Sequence, residues 1–189
     1  MERTDKMKLK LTKFDVAERQ LLQAIRMFFR EEDPISVRTL LEASGQVLYD
    51  IGKKTHIKGF LRGDDHIRPD KLQEWRRAIF KSRNFFKHAD NDSDQIHEFD
   101  PETNDMVCLD VLVMYNAFKK KWCLEVLVFF CWFSIKYPHL LNDSEENKQL
   151  TDFSRSGNFD SGDKAFFSLV IDKVRDGTLK IPNFNFDLS

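Results

Sequence analysis

The sequence predicts an all-α protein: an antiparallel bundle with a four- to five-helix core, short C-terminal helices and an extended tail. Three observations carry that prediction. Apolar residues recur at three- and four-residue spacing through most of the chain. Helix-start and helix-stop residues bracket the periodic segments. Seven glycines and five prolines are too few punctuators for a turn-rich β protein. A chain of 189 residues, 41% hydrophobic and 32% charged, is long enough to bury one sizeable core, and its eighteen phenylalanines favour aromatic plugs within it.

The elements follow in order. Phe14, Ala17, Leu21, Ala24, Ile25 and Phe28 make the stripe of a first helix, with Thr12 as its cap and Asp15 three residues on. Asp33-Pro34 stops that helix and starts a second, Asp as N-cap and Pro at the first helical position. Val37, Leu40, Leu41, Val47, Leu48 and Ile51 are its stripe, and Gly52 is its stop. Ser44-Gly45 inside it marks either a close helix approach or a weak spot. Residues 53–69 form a basic connector with a short helical turn. Asp70 is expected to cap a third, central helix reaching His88, with Leu72, Trp75, Ile79 and Phe86 facing the core. "DNDSDQIHEFDPETND" is a loop by composition.

A fourth helix is expected from Asp105 to Lys120, carrying Leu109, Val111, Leu112, Tyr115 and Phe118. A fifth runs from Leu124 to Tyr137 and stops at Pro138. Its apolar run Val126–Ile135 spans ten residues, where a membrane span needs about 20, so no membrane is implied. The run suits a buried core helix; its composition suits a dimer interface equally. Shorter helices are expected near Glu145–Phe153 and Asp163–Asp176, the latter ended by Gly177. The tail "LKIPNFNFDLS" alternates apolar and polar residues and reads as extended. The bundle is assigned to residues 1–140, and residues 141–189 to a helical appendage packed on it.

Net charge is −1, but the charge is segregated. Lys53 to His88 holds eleven Lys and Arg against four Asp and Glu; Ala89 to Asp110 holds eight Asp and Glu and no Lys or Arg. Such blocks set up a local field even when the total cancels. The three cysteines, Cys108, Cys123 and Cys131, sit among apolar residues without CxxC spacing, which fits free buried thiols in a reducing cytosol. Met1 to Lys13 is basic without an apolar centre and is not read as a signal peptide. No Gly-rich phosphate loop, GxSxG or HExxH is present. "DNDSD" starts like a calcium loop, but Gln95 stands at its sixth position and Pro101 at its twelfth, so a solvated turn is expected.

The third helix carries the chemistry. Arg77, Lys81, Asn84 and His88 follow spacings of four, three and four and form one polar stripe, with Arg83 on its border beside Arg76 and Lys87. A guanidinium fork stabilises the charge that develops on a phosphodiester in transition. An imidazole takes or gives a proton near neutral pH. Arg76, Arg77, Lys81 and Lys87 are candidates for sequence-blind backbone contacts to RNA. A basic helix end also has a bland use, because cations complement the negative C-terminus of a helix. His66 and His97 have no ligand-like spacing; folding alone decides whether they reach this helix.

"RNFFKH", Arg83 to His88, resembles the signature of the HEPN superfamily: an Arg, a polar residue directly after it, and a His after four to six residues. The likeness covers roughly Phe14 to Tyr137. It implies a helical bundle acting as a homodimer, with two motifs facing across a basic cleft, and metal-independent RNA cleavage needing no cofactor. It implies Arg83 at the phosphate, His88 at the proton and Asn84 supporting both, in a cytoplasmic toxin or defence setting with an antitoxin partner. Asp90 stands where some such toxins carry a modified Tyr, so that regulation does not transfer. Two alternatives stay open: a non-catalytic HEPN-like module binding a nucleotide or a partner protein, and a plain helical interaction protein in which Arg83 pairs with Asp90 or Asp92.

Overall fold

Thr12 opens the first helix with a reciprocal cap. Its hydroxyl accepts the Asp15 N–H at 3.1 Å, while the Asp15 carboxylate accepts the Thr12 N–H at 2.7 Å. A computed structural model describes residues 8–63, 65–90, 93–141, 144, 148, 152 and 159–180. Among these it is helical with no strand: α1 Lys13–Phe29, α2 Pro34–Gly52, α3 Leu72–Lys87, α4 Thr103–Lys119, α5 Leu124–Lys136 and α6 Lys164–Arg175. Of the expected helix at 145–153 only Lys148 and Asp152 are described, and the tail from 181 onward lies outside the described residues.

The caps follow the sequence closely. Asp33 accepts the Ile35 and Ser36 amides ahead of Pro34, and Asp163 accepts the Phe166 amide at 3.0 Å. Gly177 follows α6 at φ 80°, the left-handed backbone that ends many helices. Two boundaries differ from expectation. Asp70 does not cap α3. Pro69 sets a 3₁₀ turn over Pro69–Lys71, and the Arg68 guanidinium holds the Asp70 carboxylate at 3.1 and 2.9 Å, so α3 begins at Leu72 with no side-chain cap. Helix α4 begins at Thr103, not Asp105, because Asp100 accepts the Glu102 amide and the Thr103 hydroxyl just ahead of it. Asp105 is buried instead, taking bonds from Lys136 and Tyr137, each at 2.8 Å.

Helices α1, α2, α4, α5 and α6 share one core. Ala17, Leu21, Ala24, Ile25, Phe28 and Phe29 line the buried side of α1, as the 3.6-residue period requires. Phe28, Phe29, Phe129 and Trp132 interlock with ring centroids 4.8–6.2 Å apart. Each such side chain contributes about 1.5–3 kcal/mol by leaving water. The apolar run of α5 is core within this chain: Val126, Val128, Phe129, Trp132 and Phe133 are all buried. Helix α6 enters the same core, with Phe167 stacked on Phe29 at 5.5 Å and Arg175 reaching buried Glu125 at 2.5 Å.

Helix α3 is the exception. It was expected to be central with a core-facing side, yet none of its residues is buried. Leu72, Trp75, Ile79 and Phe86 are half-buried, packed against α2, the 53–71 connector and the 93–99 segment. The spacing identified the inward side correctly. What lies opposite it is a thin layer of loop and one helix, not the core.

Candidate functional site

Three anchors fix α3. Near its start, the Trp75 indole N–H donates to the Leu61 carbonyl at 3.2 Å. Toward its end, Arg83 Nη1 donates to Gln46 Oε1 on α2 at 2.8 Å, and the guanidinium covers the Phe80 ring at 4.1 Å. On its third side, His97 Nε2 lies 2.9 Å from Ser82 Oγ, with the His97 ring 5.1 Å from Phe85 and 6.1 Å from Phe86. Phe99 completes that clip, edge-on to Phe86 at 5.2 Å. Of the two histidines left open by the sequence, His97 thus packs on the motif helix, and His66 sits edge-on to Trp75 at 6.4 Å.

The expected polar stripe exists. Arg77, Lys81, Asn84 and His88 are all exposed, and so are Arg76 and Lys87. Arg77, Lys81, Lys87 and the His88 imidazole have no hydrogen-bond or ion-pair partner among the described residues. Asn84 joins the motif. Its side-chain oxygen accepts Arg83 Nε at 3.3 Å, and its carbonyl accepts the His88 N–H at 3.0 Å. His88 is the C-cap, and at φ −131° and ψ 139° it turns the chain out of the helix. Arg83 is not paired with Asp90, and Asp92 lies outside the described residues. Nη2 of Arg83 has no partner among the described residues, so one arm of the fork remains for an acceptor.

Beneath α3 lies a charge network that sequence reading missed. Arg62 in the connector is buried and pairs with Glu42 of α2 at 2.5 Å and with Asp110 of α4. Glu42 also takes Arg38 Nε at 3.1 Å, and Arg38 Nη1 reaches Thr103 at 2.9 Å. Burial lowers the Arg38 pKa, with the Glu42 charge opposing. Asp110 accepts the Leu61 amide at 2.7 Å, so the residue that anchors Trp75 is itself held from the core. The close helix approach expected at Ser44-Gly45 is made by α4, since a Cβ on Gly45 would lie 2.9 Å from Val111; the connector comes closer still, with the Arg62 guanidinium at 2.6 Å. One on Gly59 would lie 2.1 Å from Asp110 Oδ1. The available signal was charge out of place: Arg38 and Glu42 one turn apart beside the apolar stripe of α2, and Asp110 between Leu109 and Val111.

Other candidate chemistry is sparse. Among the described residues no group of three or more His, Cys, Asp or Glu is arranged to hold a metal ion. None of their helices is long and apolar enough to cross a membrane. Cys108, Cys123 and Cys131 are free; Cys108 and Cys123 are buried as expected, but Cys131 is only half-buried. Burial pushes the Cys123 and Cys131 thiols up to about 11, where they are poor nucleophiles at neutral pH. No family model, curated protein or solved structure matches the chain.

Proposed function

We propose that the chain is a HEPN-like RNA-binding domain with metal-independent endoribonuclease activity centred on Arg83, Asn84 and His88. The observation that supports this best is the exposed stripe of Arg77, Lys81, Asn84 and His88 beside an Arg83 held by Gln46 and Asn84. Arg77 and Lys81 bind backbone phosphates, and Nη2 of Arg83 faces the scissile one. The substrate 2′-oxygen attacks phosphorus as its proton passes to an imidazole. The bond to the 5′-oxygen breaks, and that oxygen takes a proton from an imidazolium, leaving a 2′,3′-cyclic phosphate. Two His88 side chains across a homodimer fill the two proton roles. A cytoplasmic toxin or defence setting, with an antitoxin as regulator, belongs to the same proposal.

One observation favours a second reading. Two of the three Arg83 nitrogens are already engaged within the chain, which suits a non-catalytic module binding a nucleotide or a partner protein. The deciding experiment is cleavage of a pool of labelled RNAs in EDTA by wild-type protein and by His88→Ala. Cleavage lost only in the variant supports the nuclease. Equal cleavage by both removes it. Absence of cleavage by a folded wild-type protein moves the assignment to the binding module.

A further inference from the structure

We infer that Trp75 forms a stacking subsite for one unpaired nucleobase of a single-stranded RNA, in the open depression at the start of α3. This rests on the RNA-binding reading of the stripe above. The depression has a volume of about 370 Å³, and its lining includes His66, Arg68, Lys71, Glu74, Trp75 and Ala78. Its wall is a half-buried indole whose polar edge is satisfied by the Leu61 carbonyl, leaving ring surface as what it offers a ligand.

That indole is unusually well fixed for a group on a peripheral helix. Its acceptor, Leu61, is tied through its own amide to Asp110, which is fully buried and bonded to Arg62. A rigid aromatic plane loses little entropy when a base stacks on it. His66 stands edge-on to the indole with an interplanar angle of 82°, closing one side of the slot. Ala78, one turn on, is exposed and adds little bulk to the lining.

The rim supplies charge. Arg68 and Lys71 line the depression, each holding an exposed carboxylate, Asp70 and Glu74, at 2.9 and 2.8 Å. Exposed pairs of this kind are weak and yield to a phosphate. Lys81 follows Ala78 by three residues, so it stands about 4.5 Å further along the helix axis on the neighbouring stripe. Lys81 lies about 120° around the helix from Trp75 and Arg77 nearly opposite it, so a strand that carries a base to Trp75 rests its phosphates on Arg68, Lys71 and Lys81 rather than on Arg77. An aromatic plane beside a row of cations is the pairing that single-stranded nucleic acid requires, and stacking makes it tolerant of sequence.

The test compares a short single-stranded RNA of mixed sequence with an abasic oligomer of equal length, by anisotropy across a salt series. It also follows indole emission in the Trp122→Phe background, where Trp132 is buried. The wild-type protein is expected to bind the RNA about tenfold more tightly than the abasic oligomer. RNA should quench emission, and the abasic oligomer should not. Trp75→Ala should bind both oligomers alike with an unchanged salt slope, while Lys81→Ala should flatten that slope. Trp75→Phe, which keeps a ring but loses the Leu61 bond, should retain part of the preference and guards against misfolding. If emission is unmoved by saturating RNA while Lys81→Ala still flattens the slope, the base subsite is wrong and the RNA reading stands. If wild-type protein binds neither oligomer at low salt, both fall.

Discussion

Arg83 of α3 donates to Gln46 of α2 at 2.8 Å, and this bond adds a polar tie between the motif helix and the main bundle to the half-buried apolar packing of the inner side of α3. It holds the charged end of Arg83 over Phe80, at 4.1 Å from the ring centroid, while Nη2 has no partner among the described residues. Under the nuclease reading, Arg83→Ala should lower single-turnover RNA cleavage about 10²–10³-fold, the usual loss when one donor to a developing anion is removed. Gln46→Ala should cost several-fold, because the fork survives but loses its orientation. Both variants should unfold within a few degrees of wild type, since the contacts are half-exposed. Cleavage by Arg83→Ala at the wild-type rate would remove Arg83 from the chemistry.

His97 and Phe99 alternate inward along the extended 95–100 segment, while Ile96 is 95% exposed and Glu98 also faces solvent. His97 thereby clips the acidic segment to Ser82, Phe85 and Phe86. Its Nδ1 is buried without a partner among the described residues, so the clip there is made by one hydrogen bond and ring packing. His97→Ala should raise amide exchange across residues 95–100 and leave α1 and α4 protected. Hydrogen-exchange mass spectrometry reads this directly, and unchanged exchange would mean that Phe99 alone holds the segment.

The buried Arg62 is predicted to dominate stability among polar residues. Arg62→Met keeps the volume but strands Asp110 and Glu42 without their common partner, and should cost about 3–5 kcal/mol. Urea midpoints at neutral pH measure this. Two glycines give a contrast. Gly59→Ala must displace the Asp110 carboxylate, whereas Gly177→Ala meets nothing within 4 Å and bears only the strain of φ +80°. The second should cost about 1–2 kcal/mol and the first more. A reversed order would show that the connector yields freely around Asp110.

Thiol chemistry carries a pH prediction. Burial raises the Cys123 and Cys131 thiols from 9.0 to about 11. In the unfolded chain they ionise first, so the unfolded state binds fewer protons between these values. Stability is then unaffected below about 9 and declines as pH rises from 9 to about 11. Alkylation by iodoacetamide at neutral pH should be slow in the native protein and fast after denaturation. Rapid labelling of Cys123 in the folded protein would contradict its burial, whereas half-buried Cys131 should label faster than Cys123.

The sequence by itself determined the helices. Periodicity placed α1, α2, α5 and α6 to within a residue or two, and Thr12, Asp33 and Asp163 each cap a helix through a bond to an amide two or three residues on. These are local interactions, set by spacings along one chain. It also determined the order of the polar stripe on α3, because a helix converts spacing into direction. Tertiary structure alone decided what each face meets. That α3 lies on the periphery, that Arg83 goes to Gln46 rather than to an acid, and that His97 returns to Ser82 all depend on contacts between distant segments. The Arg38, Glu42, Arg62 and Asp110 network shows the same division most clearly. Its four charges are scattered over the sequence, and only the burial of a shared space makes them neutralise one another, since an ion without a partner there would be too costly to keep.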